Sequence, residues 1–300
     1  MLKLDKITND NLYNKNIEIQ SIAKEKLRPI DSTIFYYRLD CLGGVPLVVA
    51  LYDLFGVDGI RQYQTIKINH CLHVNSGIYP LNVDMIEIFC QNYINTLKQC
   101  DYIGCWDRGY LPEMYLVQKY GKEKTIVQNG NHPWFNSNNW YEKLHGKKIL
   151  IISSHSKSME FQWYSDNVFK SHGKKISHSD TSIDLEFVIP PTSLCGNTPH
   201  ESWVHGLQEL KNNVDKKVND FNFDIALISC GGYASSISSH IYNEYNKSTF
   251  YIGGGLQLYF SIKGRRWIDK VKVNMNEYWK SVYPEEIPEN YQRVENGCYF

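Results

Sequence analysis

The chain has 300 residues, enough to bury the core of one large domain or of two closely packed halves. Its 32 lysines and arginines balance its 32 aspartates and glutamates, so it lacks the basic surplus typical of nucleic-acid-binding proteins. The longest apolar stretch, VPLVVALYDLFGV, is too short to span a bilayer and contains Asp53. The first residues also lack the apolar core of a signal peptide. We therefore expect a cytoplasmic protein with no nucleic-acid partner and no membrane span.

The cysteine pattern favours reduced thiols. None of the eight cysteines forms a CxxC pair, and several lie inside apolar runs. Disulfides or a zinc site remain the alternatives.

The predicted elements alternate between strands and helices along the chain. Runs of apolar, β-branched or aromatic residues predict strands at 33–39, 101–106, 147–154, 186–191, 224–229 and 249–253. Helical spacing predicts helices before Pro29, at 45–56, at 83–97, from a start at Thr198, and at 234–245. The stretch 107–146 has no clear period and is predicted to be irregular.

This alternation predicts the fold class. Strands that are apolar almost throughout are typical of a parallel sheet covered on both faces by helices. We therefore expect a Rossmann-like α/β fold with a mostly parallel sheet. Residues 1–300 contain no linker or internal repeat, so one domain is predicted, with a subdivision near residue 145 as the alternative.

Two groups of glycines follow predicted strands. Gly231 and Gly232 end the strand at 224–229, and Gly253, Gly254 and Gly255 end the next one. Ligands of open α/β sheets bind at such carboxyl ends, and glycine lets the backbone approach a phosphate closely. A tight strand-to-helix turn is the alternative interpretation.

Polar residues beyond the second glycine group extend the candidate pocket. They are Gln257, Lys263, Arg265 and Arg266. Cations beside two glycine-ended strands predict a site for a nucleoside diphosphate. A solvated basic face is the alternative for the two arginines.

Three acid or base side chains follow predicted strands. Asp40, after Arg38, can hold a divalent cation against a diphosphate or can cap the strand end. Asp107 and His155 have the same kind of position and are candidate bases. Serine hydrolases, P-loop kinases and HExxH zinc enzymes are excluded, because their motifs are absent.

Several segments, in order, carry a resemblance to a known family. They are NSGIYP, DYIGCW, NNWYEKLHGKKILIISSHSKSME, PPTSLCGNTPHESWVHGLQELKNN, DIALISCGGYASSISSHI and TFYIGGGLQLYFSIKGRRW. From about residue 33 to 269 the chain resembles the glycosyltransferase family with the GT-D type fold. Members occur in bacterial polysaccharide gene sets and in large DNA viruses, so the compartment is the host cytoplasm if the source is viral.

The resemblance implies a nucleoside-diphosphate sugar donor, with a UDP-sugar favoured, and a glycan acceptor. It also implies Mn²⁺ or Mg²⁺ at a carboxylate–x–carboxylate element, for which this chain offers Asp40 alone, in Asp40-Cys41-Leu42-Gly43. Asp40, Asp107 and His155 are then the candidate catalytic residues. Further candidate donor contacts are Arg38, Asn75, Gly77, Asn197 and Tyr233.

Other readings of the sequence stay open. The missing second carboxylate favours a non-catalytic relative that binds a nucleotide sugar or a glycan. The glycine turn alone supports a Rossmann-type methyltransferase. Trp106, Trp134 and Trp140 are suited either to stacking on sugar rings or to the core.

Overall fold

The computed structural model describes residues 44–65, 69–105, 111–121, 125–128, 140–270 and 275–300. These residues form two compact units, the first within 1–72 and 81–129, the second within 73–80 and 130–300. The predicted strand at 33–39 and the helix before it lie outside the described residues.

The first unit is mainly helical. In chain order the structure has α1 (Val45–Phe55), α2 (Val57–Gln64), α3 (Cys71–Ser76, shared between the units), α4 (Val83–Gln99), β1 (Tyr102–Cys105), α5 (Leu111–Tyr120) and β2 (Thr125–Gln128). Strands β1 and β2 pair in parallel. The predicted helices at 45–56 and 83–97 and the strand within 101–106 are confirmed.

Local sequence explains where α1 and α4 begin and end. Pro46 lies in the first turn of α1, where its missing N–H costs no hydrogen bond. Gly56 ends α1 with a φ of 60° and donates its N–H to the carbonyl of Tyr52. Asn82 caps α4, because its side-chain oxygen accepts the N–H of Met85 at 2.9 Å.

The carboxylate of Asp53 links α1 to α5 within this unit. It accepts hydrogen bonds from the hydroxyls of Tyr115 and Tyr120 at 2.8 and 2.7 Å. Lys119 forms an ion pair with it at 2.7 Å. These donors favour the charged form and lower the pKa of Asp53 although burial opposes them.

The second unit alternates strands and helices. Its elements are α6 (Trp140–Lys143), β3 (Lys148–Ser153), α7 (Ser156–Tyr164), α8 (Asn167–Lys170), β4 (Asp184–Val188), α9 (Trp203–Phe221), β5 (Ile225–Ser229), α10 (Tyr233–Tyr245), β6 (Ser248–Tyr251), α11 (Leu256–Tyr259), β7 (Ile262–Lys263), α12 (Arg265–Lys270) and β8 (Lys280–Ser281). Four strands form one parallel sheet in the order β4-β3-β5-β6. The predicted α/β class, with a parallel sheet flanked by helices, is confirmed.

The strands of this sheet lie where the apolar runs predict them. Strand β4 begins two residues before the predicted range and ends at Val188, since Pro190 and Pro191 follow and cannot donate to a ladder. The prediction that 107–146 is irregular is wrong, because α5, β2 and α6 lie within it. Helices α7 and α8 were not predicted, since their mixed polar and aromatic sequence has no regular apolar stripe.

The start of α9 corrects the prediction at Thr198. The N-cap is Ser202, whose hydroxyl accepts the N–H of His205. The N–H of Trp203, the first residue of α9, donates to the carbonyl of Tyr79 at 2.8 Å. This hydrogen bond comes from a segment distant in the sequence, so the position of the helix start depends on tertiary contact. The predicted apolar face is confirmed, with Trp203, Leu207, Leu210 and Val214 buried.

An aromatic cluster fills the core of the second unit. Trp140 is buried against Trp163, Tyr259 and Phe260, with ring centroids 5.5 to 5.8 Å apart. Its indole N–H donates to the carbonyl of Tyr259 at 3.0 Å. Trp140 is therefore a core residue and not a stacking platform for a sugar.

Candidate functional site

The carboxyl edge of the parallel sheet is the part of the fold most suited to binding. Strand β4, which follows β3 in the chain, pairs with one edge of β3, and the next strand, β5, pairs with the opposite edge. The strand order thus reverses between β3 and β5, and ligands of open α/β sheets bind outside the strands at such a point. The loops that follow β3, β4, β5 and β6 contain His155, Asn197 and both groups of candidate glycines.

The glycine pair after β5 makes a turn that packs against protein. The N–H of Gly232 donates to the carbonyl of Ser76 at 2.7 Å. A Cβ atom on Gly232 would lie 2.6 Å from that oxygen and closer still to the side chain of Ile78. Gly231 has a φ of 58° and faces Leu194. The close approach that Gly232 permits in this structure is therefore to the chain itself, and its contact with a ligand phosphate stays a prediction.

Segments around Asn75 and Asn197 pack against each other. Asn75 is half-buried on α3, and Gly77, two residues later, lies against the side chain of Ser193. The ring of His73 lies 3.2 Å from the carbonyl oxygen of Asn197. The structure thus brings these candidate donor contacts close to the glycine turn through contacts between protein groups.

Tyr233 begins α10 and is fully buried. Its ring stacks on Trp203 with the ring centroids 5.7 Å apart and the planes 5° from parallel. Burial raises the pKa of its hydroxyl above the usual value. Its ring is therefore part of the packing between α9 and α10.

The triple glycine after β6 packs against the segment Tyr291–Phe300, called here the 291–300 segment. A Cβ on Gly254 would overlap the ring of Tyr299, and Gly255 is buried. Gln257 donates its side-chain N–H to the carbonyl of Tyr299 at 2.7 Å. A Cβ on Gly253, which has a φ of 65°, would contact Tyr251 alone among the described residues, at 3.7 Å. Gly254 therefore makes room for Tyr299 in the 291–300 segment.

The three predicted cations differ in how many contacts their side chains make with other protein groups. The guanidinium of Arg266 pairs with Glu295 at 2.6 Å and lies 4.9 Å from the centroid of the Tyr299 ring. Arg265 is exposed and donates one side-chain N–H to the 291–300 segment. Lys263 is half-buried on β7, and its side chain makes no hydrogen bond or ion pair among the described residues. Lys263 and Arg265 are thus better placed than Arg266 to meet an anionic ligand.

Arg266→Ala is expected to destabilise the protein without any ligand, by about 1–2 kcal/mol, because a largely buried cation loses its aromatic and ionic partners. The ion pair itself contributes little of this, since Glu295 is half exposed. Urea unfolding of the parent and variant would measure the loss. Arg265→Ala is the matched control and should change stability by less than about 0.5 kcal/mol. Equal stability of all three proteins would contradict a packing role for Arg266.

His155 follows β3 but is buried, with 6% of its surface exposed. Its backbone N–H donates to the hydroxyl of Ser153, and its ring meets Phe300 edge to face at 5.4 Å between centroids. Burial lowers the pKa of His155 from 6.5 to about 4. A general base works best with a pKa near the working pH, so His155 is poorly suited to that predicted role.

A cavity of about 150 Å³ lies beside the loops that follow β3 and β4. Its polar walls are Ser154, Lys157, Thr192, Glu285 and Glu286. None of these residues belongs to the site that the sequence predicts. Ser154 and Lys157 follow a predicted strand, a position that could have identified them, whereas the two glutamates lie far along the chain with no such signal.

Three predicted site residues lie outside the described residues. They are Arg38, Asp40 and Asp107, together with the aromatic candidates Trp106 and Trp134. The predicted metal ligand and two of the three predicted catalytic residues therefore have no position here.

Within the described ranges, no group of three or more His, Cys, Asp or Glu side chains could hold a metal ion. The cysteines whose side chains are placed are all free thiols, at positions 71, 90, 100, 195, 230 and 298. No described helix combines the length and the apolar character needed to cross a membrane. Comparison of the chain with protein-family models, with curated proteins and with solved structures found no match.

Proposed function

We propose that the protein is a glycosyltransferase of GT-D type, which moves a sugar from a nucleoside-diphosphate sugar to a glycan acceptor in the cytoplasm. A UDP-sugar is the favoured donor. The main support for this proposal is a set of contacts at the carboxyl edge of the sheet. Segments far apart in sequence that share the resemblance, around Ser76, Ser193 and Gly232, contact one another beyond the carboxyl end of β5. This is the edge at which parallel α/β sheets bind nucleotides.

The proposed reaction is substitution at the anomeric carbon of the donor. An acceptor hydroxyl forms the new C–O bond while the bond to the diphosphate breaks and its electron pair leaves with the phosphate oxygen. Negative charge then grows on the leaving group, so fixed cations nearby lower the barrier. Lys263 and Arg265 are the described side chains suited to this, since Arg266 is held by Glu295.

Mn²⁺ or Mg²⁺ would supply further stabilisation of the leaving diphosphate when bound. The resemblance offers only Asp40 as its ligand, and no step of the proposed reaction depends on a metal. Asp40→Asn tests that role, because an amide is a poor metal ligand; the variant should fold normally but respond less to Mn²⁺.

A second candidate function is binding of a nucleotide sugar or glycan without turnover. The sequence favours it, because Asp40 lacks the second carboxylate of the carboxylate–x–carboxylate element that metal-dependent transferases of this type carry. Release of nucleoside diphosphate from a panel of nucleotide sugars, with and without Mn²⁺, separates the two candidates. Turnover supports the transferase, whereas binding without release supports the second candidate.

A nucleoside diphosphate is expected to raise the melting temperature of the protein. A ligand that binds only the folded state adds about 2.7 kcal/mol at a hundredfold excess over its Kd. Thermal-shift assays with UDP, GDP, ADP and CDP, each with and without Mn²⁺, would measure the effect. Inorganic phosphate at the same ionic strength is the control, and no shift with any nucleotide would contradict a donor site.

A further inference from the structure

The cavity beside β3 and β4 contains two neighbouring carboxylates with different environments. Glu286 accepts hydrogen bonds from the backbone N–H groups of Lys157 and Ser158, in the first turn of α7. It also accepts the hydroxyl of Ser158, which in turn accepts the N–H of Tyr283. Both oxygens of Glu286 are therefore engaged in fixing the 3₁₀ turn Pro284–Glu286 onto the start of the helix.

This anchoring determines where Glu285 lies. The side chain of Glu285 is exposed and lines the cavity, and so do the side chains of Lys157 and Thr192. Within the part of the chain that the structure describes, the side chains of these three residues have no hydrogen-bond or ion-pair partner. The cavity thus presents unused hydrogen-bonding capacity at the Glu285 carboxylate, the Lys157 ammonium group and the Thr192 hydroxyl.

Size and charge restrict the kind of ligand. A cavity of about 150 Å³ is below the roughly 300–1,000 Å³ usual for drug-sized ligands, so it is too small for a nucleotide diphosphate. Glu285, Glu286 and Lys157 give the walls a net charge of −1, which disfavours phosphate. Ile189 and Pro288 add an apolar wall. A neutral ring with hydroxyls on its edge and C–H groups on its face fits this combination.

We infer that this cavity binds one sugar ring of the glycan acceptor. Glu285 accepts hydrogen bonds from ring hydroxyls, Lys157 and Thr192 donate to them, and Ile189 and Pro288 pack against the C–H face. Glu286 is a positioning residue, since its oxygens hold the turn and not the ligand. The inference rests on the proposed function in taking the acceptor to be a glycan, and it adds the location of an acceptor subsite.

Binding of simple glycosides to the full chain tests the inference. Saturation-transfer NMR would be recorded with the methyl glycosides of glucose, galactose, mannose and N-acetylglucosamine. The proteins are the parent, Glu285→Gln, Thr192→Val and the control Glu160→Gln, which removes the same charge from an exposed site on α7 outside the cavity wall. Urea unfolding of each variant checks that the fold is unchanged.

We expect at least one glycoside to bind the parent and the Glu160→Gln control equally well. Glu285→Gln should weaken that binding about tenfold or more, as expected when a hydrogen bond to a charged group is lost. Binding of no glycoside, or binding that both cavity variants leave unchanged, would overturn the inference. Nucleotide-sugar hydrolysis by the parent, measured in parallel, keeps the two proposals distinct. Hydrolysis without glycoside binding rejects only the subsite, and the reverse result rejects only the transferase.

Discussion

Gly232→Ala is expected to lower the free energy of unfolding by about 2–3 kcal/mol, with or without nucleotide present. Gly232 has a φ of −67°, so alanine would bring no backbone strain. The cost is steric, because the new methyl group would lie 2.6 Å from the carbonyl oxygen of Ser76 and overlap Ile78. Overpacking of this kind costs typically 1–3 kcal/mol, and the hydrogen bond from Gly232 to Ser76 would weaken as the segments separate.

Gly253→Ala provides the matched control for this experiment. Gly253 has a φ of 65°, and its nearest neighbour would be a Tyr251 ring atom 3.7 Å from the added carbon. Only backbone strain is expected there, about 1–2 kcal/mol. Urea unfolding with and without UDP would compare the variants. If Gly232→Ala kept the parent's stability but lost nucleotide binding, Gly232 would approach a ligand and the packing explanation would be wrong.

Local sequence predicts the elements of the sheet well because each strand of it is buried. Runs such as KILIIS have no polar side of their own and must be covered on both faces, which identifies a parallel strand without knowledge of its partners. The glycines at 231 and 232 likewise mark a strand end in the sequence. What they contact could not be predicted, since Ser76 is more than 150 positions away in the chain.

The candidate site was harder to predict for a similar reason. Arg266 has the same side chain whether it meets a phosphate or Glu295, and only the fold of the 291–300 segment decides between them. Glu285 and Glu286 follow β8, a strand of only two residues that no apolar run in the sequence predicts. Their place in the cavity depends on the hydrogen bonds from Glu286 to α7, which join residues about 128 positions apart.

The stability of the protein is expected to fall between pH 6.5 and pH 4 because of His155. Burial holds the pKa of this imidazole at about 4 in the folded chain, against 6.5 when it is exposed. As the pH falls, the unfolded chain therefore takes up the proton first, and this uptake stabilises the unfolded state relative to the folded state. Stability from this group is complete above pH 6.5 and is lost progressively down to about pH 4, by about 3 kcal/mol in total.

His155→Gln should remove that part of the pH dependence, since the amide does not titrate. Urea unfolding of the parent and variant at half-unit steps from pH 7.5 to 4.5 would give the difference in free energy at each pH. We expect the parent to lose stability relative to His155→Gln as the pH falls, because other groups titrate alike in both proteins and cancel. His145→Gln, at an exposed histidine, should follow the parent throughout. Parallel curves for the parent and His155→Gln would mean that this imidazole is protonated as readily in the folded chain as in water, and that the contact between His155 and Phe300 opens in solution.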